Sequence, residues 1–172
     1  MPDARFEELS LPLFDQLYNF AHWLTQDRSE AEDLVQETYA KALRGFAGFQ
    51  AGTNFRAWIF RILRNTFLTS RTGLKFAGQE DVEVDSIASV DPSPEATLIG
   101  KADRKVVREA LQELPVSFRE ILLLCDVEDM AYDEIAQVLA IPIGTVMSRV
   151  HRARKALRSK LIEGVKGGSH GV

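Results

Sequence analysis

Cysteine occurs once in the 172 residues, as Cys125, and histidine three times, as His22, His151 and His170. A single thiol closes no internal disulfide and cannot by itself hold zinc, so neither an oxidised framework nor a metal-stapled fold is implied. The histidines are scattered and no glycine loop of the phosphate-cradling kind is present, which leaves no constellation for nucleophilic, acid–base or phosphoryl chemistry. No apolar run approaches the roughly 20 residues of a membrane span. The opening "MPDARFEELSLPLF" carries acids where a secretory leader has a basic start and a long apolar segment, so a cytoplasmic protein is expected. Convincing period-two alternation is missing as well, and with it the signature of a half-buried strand.

What is present is helical pattern, and charge set out in blocks. The formal net charge is −4. Residues 1–72 hold eight Lys/Arg against nine Asp/Glu, residues 73–100 one against six, and residues 101–172 twelve against ten. The middle block contains "GLKFAGQEDVEVDSIASVDPSP", rich in Gly, Asp, Glu, Ser and Pro, which reads as a flexible acidic linker over 73–93. A connector of that length is unusual inside one compact domain. The expected architecture is therefore all-α, with two small helical domains at 1–72 and 94–163 and a glycine-rich tail, 164–172, with no order of its own. Ser29 with Glu32 and Ser117 with Glu120 have capping-box spacing, Ser93-Pro94 suits a helix start, and Gly45, Gly48 and Gly52 break the first domain between two helices.

Against the acidic total stands "IPIGTVMSRVHRARKALRSKL", residues 141–161, with six Lys/Arg and no acid. Val146, Val150, Ala153, Leu157 and Leu161 form one apolar stripe on a helix. Thr145, Ser148, Arg149 and Arg152 share another face, flanked by His151, Arg154, Lys155 and Arg158. A helix over "AYDEIAQVLA" and a short break at "IPIG" precede it, which is the order of a helix-turn-helix whose second helix enters the DNA major groove. Arginine can take guanine O6 and N7 together, hydroxyls reach base edges or phosphates, and flanking cations neutralise phosphates. A solvated basic helix with an apolar back is the competing reading; the preceding helix and the Pro-Ile-Gly turn favour DNA.

The run "LPVSFREILLLCDVEDMAYDEIAQVLAIPIGTVMSRVHRARKAL" resembles the C-terminal promoter-binding domain of extracytoplasmic-function sigma factors, compact members of the sigma-70 family. Upstream, "EAEDLVQETYAKALRGFAGFQAGTNFRAWIFRILRNTF" is similar to their N-terminal domain. Two departures stand out. Members commonly have glycine at the position of Ala140 and a hydroxyl residue at that of Ala131. A left-handed backbone at Ala140, or a lost side-chain cap at Ala131, would each cost about 1 kcal/mol.

The resemblance implies a protein that binds core RNA polymerase and promoter DNA and performs no covalent chemistry, with no cofactor. It implies contacts of Asp33, Gln36 and Glu37 with the clamp of the polymerase's largest subunit, and a further contact with the flap region. An anionic face suits a basic protein surface, which reconciles the negative total with work on DNA. The helix "RAWIFRILRNTFL" and the loop "FQAGTNF" would hold the minus-ten element: Asn54, Arg56, Arg61, Arg64 and Asn65 are polar or basic, with no acid from 56 to 71. Opening the duplex costs about 1.4 kcal/mol per base-pair step, so released bases must be captured. Trp58 and Phe67 have core spacing, whereas Phe60 falls off the stripe and fits either a base or a neighbouring helix. Thr145, Ser148, Arg149, Arg152, Arg154 and Lys155 would meet the minus-thirty-five element. The family also implies an anti-sigma protein, and the blocks "DLVQETYAKA", "GTNFRAWIFRILRNTF" and "GTVMSRVHRARKAL" are similar to the oxidative or thiol-stress group, whose anti-sigma partners bind zinc. Cys125 shares a stripe with Phe118, Ile121 and Leu122 and reads as packing. A duplex-binding regulator with the same helix-turn-helix is the rival from another class.

Overall fold

The computed structural model describes residues 2–72 and 104–170, and every regular element among them is helical. They fall into two units. In the first, α1 (Pro2–Ser10), α2 (Phe14–Thr25), α3 (Arg28–Gly45) and α4 (Phe55–Thr72) pack around Leu17, Phe20, Leu24, Leu34, Val35, Ile59, Leu63 and Phe67. Leu17, Phe20 and Leu24 on α2, Ile59, Leu63 and Phe67 on α4, and Ala31, Leu34 or Val35, Thr38 and Ala42 on α3 recur three or four apart, so each of these helices turns one face inward. Burying polar Thr38 in α3 is tolerated because its hydroxyl donates to the Leu34 carbonyl at 2.7 Å.

Helix starts differ from those expected. Asp27, not Ser29, caps α3: its carboxylate accepts from the Glu30 amide at 2.9 Å. The sequence Asp27-x-x-Glu30 has the same spacing as Ser29-x-x-Glu32, and the earlier pair wins because the chain is extended at Asp27. Between α3 and α4 the glycines do break the chain, through a 3-10 turn at Phe46–Gly48 and a left-handed Gly52 (φ 91°), a backbone that side chains other than glycine rarely adopt.

The second unit contains α5 (Arg104–Gln112), α6 (Val116–Leu122), a π turn (Leu123–Val127) and a long α8 (Ile143–His170) that packs on α5 and α6. Its core is Val107, Leu111, Ile121, Leu122, Leu124 and the complete stripe Val146, Val150, Ala153, Leu157, Leu161. Pro115 is the N-cap of α6 and supplies no side-chain cap, so Ser117 lies inside the helix and is not the capping residue its spacing suggested. The Arg119 guanidinium instead donates to the Leu111 and Leu114 carbonyls, at 3.1 and 3.3 Å, closing the end of α5. Helix α8 continues to His170, through the tail expected to be unordered. The predicted linker at 73–93 and the Ser93-Pro94 helix start lie outside the described residues.

Helix α7 (Tyr132–Leu139) precedes α8 in the chain and has Asp133 and Glu134 in its first turn. From Asp133 to Ile141 it groups with the first unit, although the sequence assigns it to the second domain. Ala140 ends it in the left-handed conformation (φ 58°), and the Ile141 amide reaches back to the Ala136 carbonyl at 3.1 Å, the closure usually given to glycine. Pro142 follows, and its carbonyl receives the Thr145 and Val146 amides at 3.0 and 3.1 Å to open α8. Helix, left-handed turn and helix therefore succeed one another as expected, with α8 starting two residues early.

Candidate nucleic-acid interface

On α8, the buried stripe fixes which side chains face outward. With Val146, Val150 and Ala153 inside, Ser148 stands opposite them, Thr145 and Arg152 lie to one side, and Lys155 is fully on the surface. Ser148 donates to the Thr145 carbonyl at 3.3 Å, which leaves its oxygen as an acceptor. Thr145, Ser148, Arg149 and Arg152 are each half-buried, and no acid lies on this helix between Ile143 and Ile162.

Arg154 departs from the expectation that it meets DNA. Its guanidinium donates to both Asp126 oxygens, at 2.6 and 3.3 Å, and lies 3.4 Å from the Cys125 sulfur. The Asp126 carboxylate is nearly buried. Arg154 is thus tied to the π turn, because it flanks the apolar stripe and its stem runs over the core. Burial, then the Asp126 carboxylate, pushes the Cys125 thiol up to about 11, only partly opposed by Arg154. Such a thiol stays protonated and unreactive at neutral pH, in line with its reading as packing.

On α4, Arg61, Arg64 and Asn65 share an outward face, with Arg64 donating to the Asn65 side-chain oxygen at 3.4 Å. Phe60 does not join them. It is 0% exposed, its ring centroid 5.5 Å from that of Phe20, so it is a core residue. It falls off the single stripe because α4 packs on both α2 and α3 and buries more than one row. Arg56 donates to both oxygens of Glu134 at 2.7 and 2.8 Å and to Gln16 at 3.0 Å, so its charge is matched within the unit. Asn54 caps α4, accepting from the Ala57 amide at 3.0 Å, a role its spacing before the helix could have signalled. The loop before it is pinned by Phe49, which meets Phe55 edge-on at 5.3 Å and Trp58 at 5.1 Å. Gln50, Thr53 and Asn54 are left on the surface.

Asp33, Gln36 and Glu37 of α3 are all exposed. Asp33 and Glu37 edge a cavity of about 300 Å³ between α3 and α4, whose far wall has Thr66, Ser70 and Arg71. Arg71 pairs with Glu30 at 3.2 Å and Lys41 with Glu37 at 3.7 Å, both at the surface where such pairs contribute little. Gln36 lies on the surface beside them. Among the described residues, no helix is long and apolar enough to cross a membrane.

Comparison with known proteins agrees with this layout. Residues 13–75 match Sigma-70 region 2 and residues 104–157 match Sigma-70, region 4. The chain is 34% identical over 169 residues to ECF RNA polymerase sigma factor SigE of Mycolicibacterium smegmatis, across 92% of this chain and 65% of that protein. It is 34% identical over 142 residues to ECF RNA polymerase sigma factor EcfG of Rhodopseudomonas palustris, across 83% of this chain and 77% of that one. Among solved structures, the sigma factor RpoE of Bartonella quintana, in complex with the anti-sigma factor NepR, superposes with a TM-score of 0.70 at 33% identity, covering 91% of this chain and 96% of that one. Both matched regions, their order, and 34% identity over 77% of the Rhodopseudomonas relative assign the chain to the extracytoplasmic-function sigma factors of the sigma-70 family.

Proposed function

We propose that the chain binds core RNA polymerase through Asp33, Gln36 and Glu37, holds the minus-ten element with the Asn54 loop and the Arg61, Arg64 and Asn65 face of α4, and reads the minus-thirty-five element with Thr145, Ser148, Arg149, Arg152 and Lys155 of α8. The observation that carries this reading is the outward face of α8, polar and cationic with no acid from 141 to 161, on an otherwise acidic chain. Phosphate contacts then set position and the hydroxyl and arginine groups set sequence. The carboxylates beside the α3–α4 cavity suit lysine or arginine side chains of a protein partner, since they repel a polyanion. Arg56 serves the minus-ten set once Glu134 releases it, and Arg154 acts by holding α8 on the π turn. The place of work is the cytoplasm, and the chain catalyses no covalent step.

Run-off transcription with purified core enzyme tests this. Initiation from a specific promoter only when the chain is added is the expected result. Binding to palindromic duplexes without core enzyme, and no initiation with it, would mark a duplex-binding regulator instead.

Control by an anti-sigma protein is part of the same reading, since the Bartonella relative is found with one. The thiol-stress group follows from the three motif blocks, with zinc belonging to the partner. The metal content of whatever protein co-purifies decides that point.

A further inference from the structure

The described residues of the second unit expose three large apolar side chains, and two of them, Ile143 at 48% and Met147 at 44%, stand one turn apart at the start of α8. Single exposed apolar residues are ordinary, but a pair at i and i+4 forms a continuous patch. At roughly 100° per residue, this pair lies along one edge of the buried stripe, and Arg149 along the opposite edge, with Ser148 between them on the outward side. Across the outward face run an apolar edge, a hydroxyl centre and a cationic edge. Gly144 leaves the surface between Met147 and Ser148 open, for a β-carbon built there would meet nothing within 4 Å.

The surroundings restrict what can cover this patch. From 141 to 161 the chain has six Lys/Arg and no acid, so its partner is anionic. Duplex DNA is an anionic surface that is polar almost everywhere, and in the major groove its apolar feature is the thymine C5-methyl. Residues in the first turns of a recognition helix are those that reach base edges. We propose that Met147, supported by Ile143, is a specificity-determining residue that reads thymine methyl groups in the upstream promoter element. This inference rests on the assignment of α8 to that element. Met147 is the principal reader because its unbranched thioether chain is the longer and more adaptable of the two.

The test uses holoenzyme assembled from the full chain and core enzyme. First, the preferred upstream element is selected from a randomised duplex pool. A thymine on either strand within the α8 footprint is expected, and a selected element with only G·C pairs there overturns the inference. Next, each thymine is replaced by uracil, which removes the methyl and keeps the hydrogen-bonding edge. At one or two positions uracil is expected to lower occupancy of the wild type about fourfold, the worth of one buried methyl. Met147→Ala should lose a similar factor on thymine DNA and show no further loss with uracil, while Met147→Leu keeps the preference. Equal uracil penalties in wild type and Met147→Ala sink the proposal. So does weakened core binding by Met147→Ala with the thymine preference intact, which would make the patch a protein contact. Arg149→Ala and Arg152→Ala separate the two levels. If these leave the upstream footprint unchanged, the assignment of α8 itself fails; if they weaken it and uracil has no effect, only the methyl reading fails.

Discussion

Helices α4 and α8 each carry a cationic face, and each has an arginine gripped by a part-buried carboxylate. On α4, Arg56 is matched by Glu134; on α8, Arg154 is matched by Asp126. In each case the guanidinium meets a carboxylate at two points. The difference is depth: the Asp126 side chain is 6% exposed and that of Glu134 13%, while their arginines are 20% and 27% exposed. In both pairs the arginine runs over the core beside its helix's apolar stripe and meets an acid from a distant part of the chain.

Breaking the deeper pair has the largest expected effect. Asp126→Ala leaves the Arg154 charge without its carboxylate and is expected to destabilise the second unit by about 3 kcal/mol, read by urea unfolding. Glu134→Ala in the shallower pair should cost less than half as much in the first unit, and equal losses would remove the distinction by depth. Asp33→Arg leaves both pairs intact and reverses a charge at the proposed polymerase contact. It is expected to weaken core binding by about 2 kcal/mol with unfolding unchanged, and a wild-type pull-down would refute the contact. Arg149→Ala removes an arginine of the proposed reading face for which no acid partner within the chain is described, so about 1–3 kcal/mol of minus-thirty-five recognition should go while core binding stays. Unchanged promoter selectivity there would remove Arg149 from that face. The smallest effect is a gain: Ala140→Gly relieves the left-handed backbone at φ 58° and is expected to stabilise the protein by about 1 kcal/mol. No gain in melting temperature would mean that the left-handed turn is relaxed for alanine.

Periodicity made the helices and most of the core legible. The five residues of the α8 stripe are all buried, as four-three-four-four spacing dictates. The acid-free outward face was legible by the same arithmetic. What the sequence concealed was pairing over distance. Asp126 and Arg154 are 28 residues apart and Arg56 and Glu134 are 78 apart, and no local pattern announces such partners. Phe60 misled because a one-stripe wheel suits a helix with one neighbour, and α4 has two. The α3 cap was displaced by two residues because overlapping cap motifs satisfy the same spacing, and only the extended backbone at Asp27 chooses between them. Ala140, in contrast, was correctly located by its oddity: alanine at a position where the turn favours glycine.

The π turn at Leu123–Val127 accommodates one residue more than an α-helix would over the same rise. That extra residue sets the angular register of everything immediately after it, including the carboxylate that grips Arg154. Shortening the segment by a single residue would yield a smoother helix with better backbone geometry, yet would swing Asp126 away by roughly 100°. The irregular helix is in this sense the gauge against which α8 is aligned, and a chain trimmed at this point would need another anchor for the same arginine.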